Sequence, residues 1–254
     1  DGIRQKVSKE TRVLYAKGCA VRDSSRTGFK DAIEIARNAD AVVMVMGGSS
    51  ARDFSSEYEE TGAAKVTINQ ISDMESGEGY DRATLHLMGR QLELLEEISR
   101  LGKPVVLVLI KGRPLLMEGA IQEAEAIVDA WYPGMQGGNA VADVLFGDYN
   151  PAGRLTLSVP RSVGQLPVYY NTRRKGNRSR YIEEPGTPRY PFGYGLSYTT
   201  FSYTDMKVQV TEGSDDCRVD VTVTIQNQGT ADGDEVAQLY FRDDVSSFTT
   251  PAKH

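Results

Sequence analysis

The sequence has only two histidines, His86 and the terminal His254, two cysteines and a single tryptophan among 254 residues. A Ser-His-Asp relay would have to run through His86, and a zinc site would lack its usual ligands. Acid-base chemistry in this chain therefore falls to carboxylates. His86 is expected in the first turn of a helix, in a structural role. Cys19 and Cys217 lie far apart in the sequence, require no bridge, and read as small buried apolar side chains. There is no apolar run long enough to span a bilayer and no charged-then-apolar leader with a cleavage site. The chain starts at Asp1 rather than methionine, which fits a processed or excised fragment. The net charge of -6 argues against nucleic acid as the main partner, since neutralising phosphates needs a basic face. The cluster Arg173, Arg174, Lys175, Arg178 and Arg180 is the local exception, and it reads as a solvated loop or one packed against acidic protein surface.

What is present is an ordinary globular composition, 40% hydrophobic and 25% charged, in a chain long enough for a medium domain with a smaller companion. The first two thirds alternate strands and helices. Val13-Leu14-Tyr15 reads as a short strand. Phe29, Ala32, Ile33 and Ala36 recur at helical spacing. Ala41 to Met46 is a continuous apolar run closed by Gly47-Gly48, as expected of a strand buried on both faces of a parallel sheet. Leu87, Leu94, Ile98 and Leu101 mark a helix stopped by Gly102 and Pro104. Val105 to Ile110 and Ala126 to Ala130 are further strands, and Val141, Val144 and Leu145 stripe a helix ending at Gly147. This βαβ series predicts a layered α/β sandwich with a mostly parallel sheet over residues 1–160.

Residues 161–199 are rich in Pro, Gly, Arg and Tyr without a sustained period, and read as an extended connector packed on another surface. From 200 to 254 the pattern becomes all-β: Phe201 to Met206, Val208 to Val210 and Val219 to Ile225 alternate as strands, a turn follows at 227–234, and Val236, Gln238 and Tyr240 resume the alternation. That is the beginning of a β-sandwich with too few strands to close, a truncated second unit.

Between Gly47 and Leu85 the alternation stops, although strand-to-helix connections in such folds usually take about 2–6 residues. The connection leaves the end of a buried strand, where open α/β sheets place their ligands. It carries Arg52, Asp53, Glu57, Glu59, Glu60, Asp73, Glu75, Glu78, Asp81 and Arg82. Within it, Ser76-Gly77-Glu78-Gly79-Tyr80-Asp81-Arg82 sets one carboxylate between two glycines, which lets the backbone turn sharply and approach a ligand closely. Asp81 and Arg82 stand ready to orient and charge-balance that carboxylate.

In this order, Ser76 to Arg82, Gly102-Lys103-Pro104, Trp131-Tyr132-Pro133-Gly134 with Gly137-Gly138, Ala142 to Leu155, and Tyr190 to Tyr198 make the chain resemble the C-terminal half of glycoside hydrolase family three, especially its bacterial β-glucosidase-like members. The resemblance implies that residues 1–160 are the family's α/β sandwich domain and that 200–254 begin a fibronectin type III-like domain, with an N-terminal barrel absent. It implies an exo-acting hydrolase that releases terminal β-linked sugars from glycosides or oligosaccharides with retention, needs no cofactor, and works in the periplasm or outside the cell. Glu78 then corresponds to the general acid/base, with Glu75 as runner-up, and the nucleophilic aspartate lies on the barrel. Asp81 and Arg82 are expected to brace the loop, and Arg52 and Asp53 to do the same or to line an outer subsite. The competing reading is a non-catalytic carbohydrate-binding or scaffold module in which Glu78 is a mere loop residue.

Overall fold

The computed structural model describes residues 1–51, 57–62, 73–77, 81–171, 181–213 and 217–241. Two sheets organise them. The first is parallel, in the order β1 (Val42–Gly47), β2 (Val105–Ile110), β3 (Ala126–Asp129). Its ladder sets Met44 beside Leu107 and Met46 beside Leu109, and then Leu109 beside Asp129. The second is an antiparallel pair, β4 (Phe201–Glu212) with β5 (Cys217–Asn227). The helices are α1 (Gly2–Lys6), α2 (Phe29–Arg37), α3 (Gln91–Ser99) and α4 (Gly137–Phe146), with short 3₁₀ turns at Gly119–Glu123 and Val163–Gln165.

The core lies against one face of the parallel sheet. Phe29, Ala32 and Ala36 of α2 meet Leu94, Leu95 and Ile98 of α3 over Met44, Met46, Leu107 and Leu109. The i, i+3, i+4 spacing puts each apolar set on a single helical stripe, so both helices bury a face without burying charge. Leu95, fully enclosed, contributes about 1.5–3 kcal/mol by removal from water. Helix α4 stops where expected, at Gly147, whose φ of 81° is the left-handed conformation of a helix C-terminus. Helix α1 packs on α4 so closely that a Cβ on Gly2 would fall 2.2 Å from the Gly138 carbonyl oxygen. Lys6 adds an ion pair to Asp143 and another of 2.6 Å to Asp148.

Several expectations are corrected. Val13-Leu14-Tyr15 is not a strand: it has no ladder partner among the described residues, and Tyr15 is exposed. Strand β1 is buried on one face only. Its even residues enter the core while Val43 and Val45 stay exposed, because α2 and α3 pack on the face that carries Met44 and Met46. His86 and Leu87 precede α3 rather than opening it, and Gln91 begins the helix. Residues 235–241 form no strand. Cys19 is half-buried, where burial pushes its thiol pKa up, but Cys217 is exposed on β5. The basic cluster Arg173 to Arg180 lies outside the described residues.

Residues 155–159 and 189–194 are held to each other by backbone hydrogen bonds. Leu155 and Val159 donate to Tyr194 and Tyr190, and Gly193 and Arg189 donate back to Leu155 and Val159, at 2.7–2.8 Å. Tyr170 stacks on Phe192 with ring centroids 4.2 Å apart, and Tyr190 lies 4.9 Å from Tyr194, while Tyr169 and Tyr198 stay exposed. Arg154 reaches Glu235 at 2.8 Å, tying this stretch to the region after β5.

Candidate functional site

The site is assembled at the C-terminal ends of β1, β2 and β3, where the chain leaves a parallel sheet and backbone groups are free to meet a ligand. At the end of β1 the buried amide of Gln91 accepts the Gly47 N–H and donates to the Gly47 carbonyl, both at 2.8 Å. Gly48 donates to Ile110 at 2.9 Å, fastening the same exit to β2. The long connection then returns beside it. Ser49 bridges Met74 in parallel, the Glu75 N–H donates to the Ser49 carbonyl at 2.8 Å, and Arg22 donates to the Met74 carbonyl at 2.7 Å. Asp73 accepts the Val21 N–H at 3.1 Å. The acidic segment therefore begins on a fixed foundation.

Glu75 is buried, and its Oε2 accepts from Arg82 Nη1 at 2.8 Å. The other guanidinium nitrogen of Arg82 donates to the His86 carbonyl. His86 itself pairs through Nδ1 with Glu118 at 2.6 Å. Asp81 turns the other way: its Oδ1 accepts the Arg82 N–H at 2.7 Å and Arg113 Nη1 at 2.9 Å. The hydrogen bond and charge of Arg113 hold the Asp81 carboxyl below its ordinary pKa. Asp81 and Arg82 are thus each held by a different partner, Arg113 and Glu75. Glu78, Arg52 and Asp53 lie outside the described residues.

Sequence reasoning passed over the exits of β2 and β3. Lys111, the first residue after β2, is fully buried, with Nζ 2.9 Å from Asp129 Oδ2 and 3.9 Å from the centroid of the Trp131 ring. The contact with Asp129 is an ion pair by distance but is not aligned as a hydrogen bond, and Asp129 Oδ1 is buried without a donor. Burial pushes the Lys111 ammonium pKa down, partly offset by Asp129. The Lys111 N–H donates to the Trp131 carbonyl at 3.2 Å, and Trp131 takes a φ of 51°. Tyr132 lies over Gly112, where a Cβ would fall 2.5 Å from its ring. The available signal was Lys111-Gly112-Arg113 directly after an apolar strand: two cations around a glycine, one turned into β3 and one toward Asp81.

Chemically the arrangement can present carboxylates at a sheet end under close control of nearby cations. Among the described residues no group of three or more His, Cys, Asp or Glu could hold a metal ion, and no helix is long and apolar enough to cross a membrane.

The family model described as "Glycosyl hydrolase family 3 C-terminal domain" matches residues 1–198. A beta-xylosidase of Formosa agariphila is 42% identical, covering 97% of this chain and 31% of that protein. A periplasmic beta-glucosidase of Salmonella typhimurium is 36% identical over 99% of this chain and 34% of its own length. The solved structure of a β-glucosidase from Erythrobacter marinus superposes with a TM-score of 0.78 at 37% identity, covering 96% of this chain and 33% of that one. The chain spans about a third of the length of the curated relatives it matches. With its parallel sheet, long acidic connection and matched motifs, the chain belongs to glycosyl hydrolase family 3, of which it carries the C-terminal domain.

Proposed function

We propose that this chain is the acid/base-bearing part of a retaining, exo-acting β-glycosidase that removes terminal β-linked glucose or xylose. Residues 1–160 act as the α/β sandwich domain, 161–199 as a connector, and 200–254 as the start of a fibronectin type III-like domain. The observation that carries the reading is the anchoring of the acidic segment: residues 73–75 are fixed to the exit of β1, and Asp81 and Arg82 are fixed to Arg113 and Glu75. The residues between them include Glu78. The sugar preference follows the relatives, which are named for glucosidase and xylosidase activity, and a periplasmic or secreted location follows the Salmonella protein's name.

In the reaction, an aspartate from a barrel domain of the same polypeptide attacks the anomeric carbon while Glu78 gives its proton to the departing glycosidic oxygen. Glu78, now a carboxylate, takes a proton from the water that attacks the glycosyl-enzyme, releasing the sugar with retention and restoring the acid. Retention requires the two carboxyl groups to stand about 5–5.5 Å apart. Docking of the barrel would desolvate Glu78 and raise its pKa for the first step. The test is Glu78→Ala in the full-length parent. Loss of turnover, with azide restoring it and yielding a β-glycosyl azide, is the expected result. Unchanged turnover would favour a carbohydrate-binding or scaffold module.

A further inference from the structure

A second carboxylate of the acidic segment has no part in the reaction as written. Glu75 and Arg82 form a pair whose side chains are 1% and 4% exposed. Glu75 Oε2 is held by Arg82 at 2.8 Å, while Oε1 is buried with no donor among the described residues. Gly48 closes the remaining side, since a Cβ there would fall 1.8 Å from Oε1. The Glu75 backbone is fixed to Ser49, and Arg82 also grips the His86 carbonyl. A carboxylate so enclosed, facing a permanently charged guanidinium, could exchange a proton with a sugar oxygen only by breaking a buried pair, which costs several kcal/mol. What it can do is fix geometry. Glu75 stands before residues 76–81 and Arg82 after them, so their contact holds the two ends of that segment together. Asp81 adds a tie to Arg113 beyond β2.

We propose that the Glu75–Arg82 pair is a clasp that sets the position of the turn it encloses, and that Glu75 is a positioning residue for this reaction, not its proton donor. The inference rests on the reading of Glu78 as the acid/base. The experiment compares Glu75→Gln, Glu78→Ala and the neutral pair Glu75→Gln/Arg82→Gln in the full-length parent. The readouts are kcat, KM, pH profile and azide product on p-nitrophenyl β-glucoside and β-xyloside, with a thermal melt for each protein.

For Glu75→Gln we expect kcat to fall on the order of 100-fold, as for a catalytic group displaced by about 1 Å. KM should be little changed, the basic limb of the pH profile retained, and no glycosyl azide formed. The neutral pair should melt near wild type yet stay slow. Glu78→Ala should lose the basic limb and form glycosyl azide. Glycosyl azide from Glu75→Gln with loss of the basic limb would make Glu75 the donor and overturn the proposal, as would wild-type kcat in Glu75→Gln. If that variant fails to fold, the neutral pair decides: wild-type turnover overturns the clasp, and slow turnover from a folded protein supports it. Full activity of Glu78→Ala would instead remove the reading on which the clasp rests.

Discussion

At the residue scale the most consequential side chain is Lys111, which the sequence marks only as a cation after an apolar strand. Its Nζ is shared between Asp129 and the ring of Trp131, the sole tryptophan. Breaking a buried ion pair leaves the surviving charge uncompensated, at a cost of about 3–5 kcal/mol. Lys111→Met is therefore expected to destabilise the chain by about 3 kcal/mol, and Lys111→Met/Asp129→Leu to recover most of it, measured by urea titration. The pH dependence follows from the depressed Lys111 pKa. Below the ordinary value of 10.5 the unfolded chain holds a proton that the folded chain has begun to release, so this residue's contribution makes stability rise with pH in that interval. Lys111→Met should flatten the rise. Trp131 emission excited at long wavelength should change below pH 10.5 in the folded wild type and not in Lys111→Met. None of this was legible beforehand, because periodicity locates Lys111 after a strand but cannot say which neighbouring strand its side chain crosses to. Asp81 and Arg82 were legible as an anion and a cation at the end of the acidic segment. Their partners, Arg113 and Glu75, required knowing that the exits of β1 and β2 stand side by side.

At the element scale, β1, β2, β3, α2 and α4 were readable because each is a short apolar run or stripe bounded by glycine or proline. The misreadings share a cause. A strand's burial depends on what covers it and what pairs with it, and Val43, Val45 and Tyr15 carry no local mark of either. The β4–β5 ribbon shows the opposite case. Its alternation changes phase at a bulge, where Asp205 takes a φ of 54° and two residues of β4 face one of β5. The phase change keeps Tyr203 beside Ile225 and Val208 beside Val221, all on one face. Gly48 is the element junction most sensitive to change. Gly48→Ala drives a methyl into Glu75, and we expect a loss of about 1–3 kcal/mol by overpacking, visible in the thermal melt, together with slowed turnover in the parent.

At the scale of the whole molecule, the described residues expose apolar side chains on the outer face of β1 and on the β4–β5 ribbon, where Val208, Val210 and Val219 are each more than half exposed. Apolar strand faces left in water tend to pair with other chains. The isolated chain is expected to self-associate with rising concentration in sedimentation velocity, and Val210→Lys/Val219→Lys, a repulsive cross-strand pair, to shift it toward monomer. Expressed alone it should not hydrolyse p-nitrophenyl β-glycosides, since the proposed nucleophile belongs to the barrel; turnover by the fragment alone would overturn that division of labour. The paired backbone of 155–159 with 189–194 has a different consequence. It zips the two ends of residues 161–188 together at a fixed neck. Lengthening such a loop adds only about 0.6 kcal/mol per doubling, provided its own packing is left intact. A foreign peptide inserted between those two ends is therefore expected to leave the parallel sheet and the β4–β5 ribbon in place.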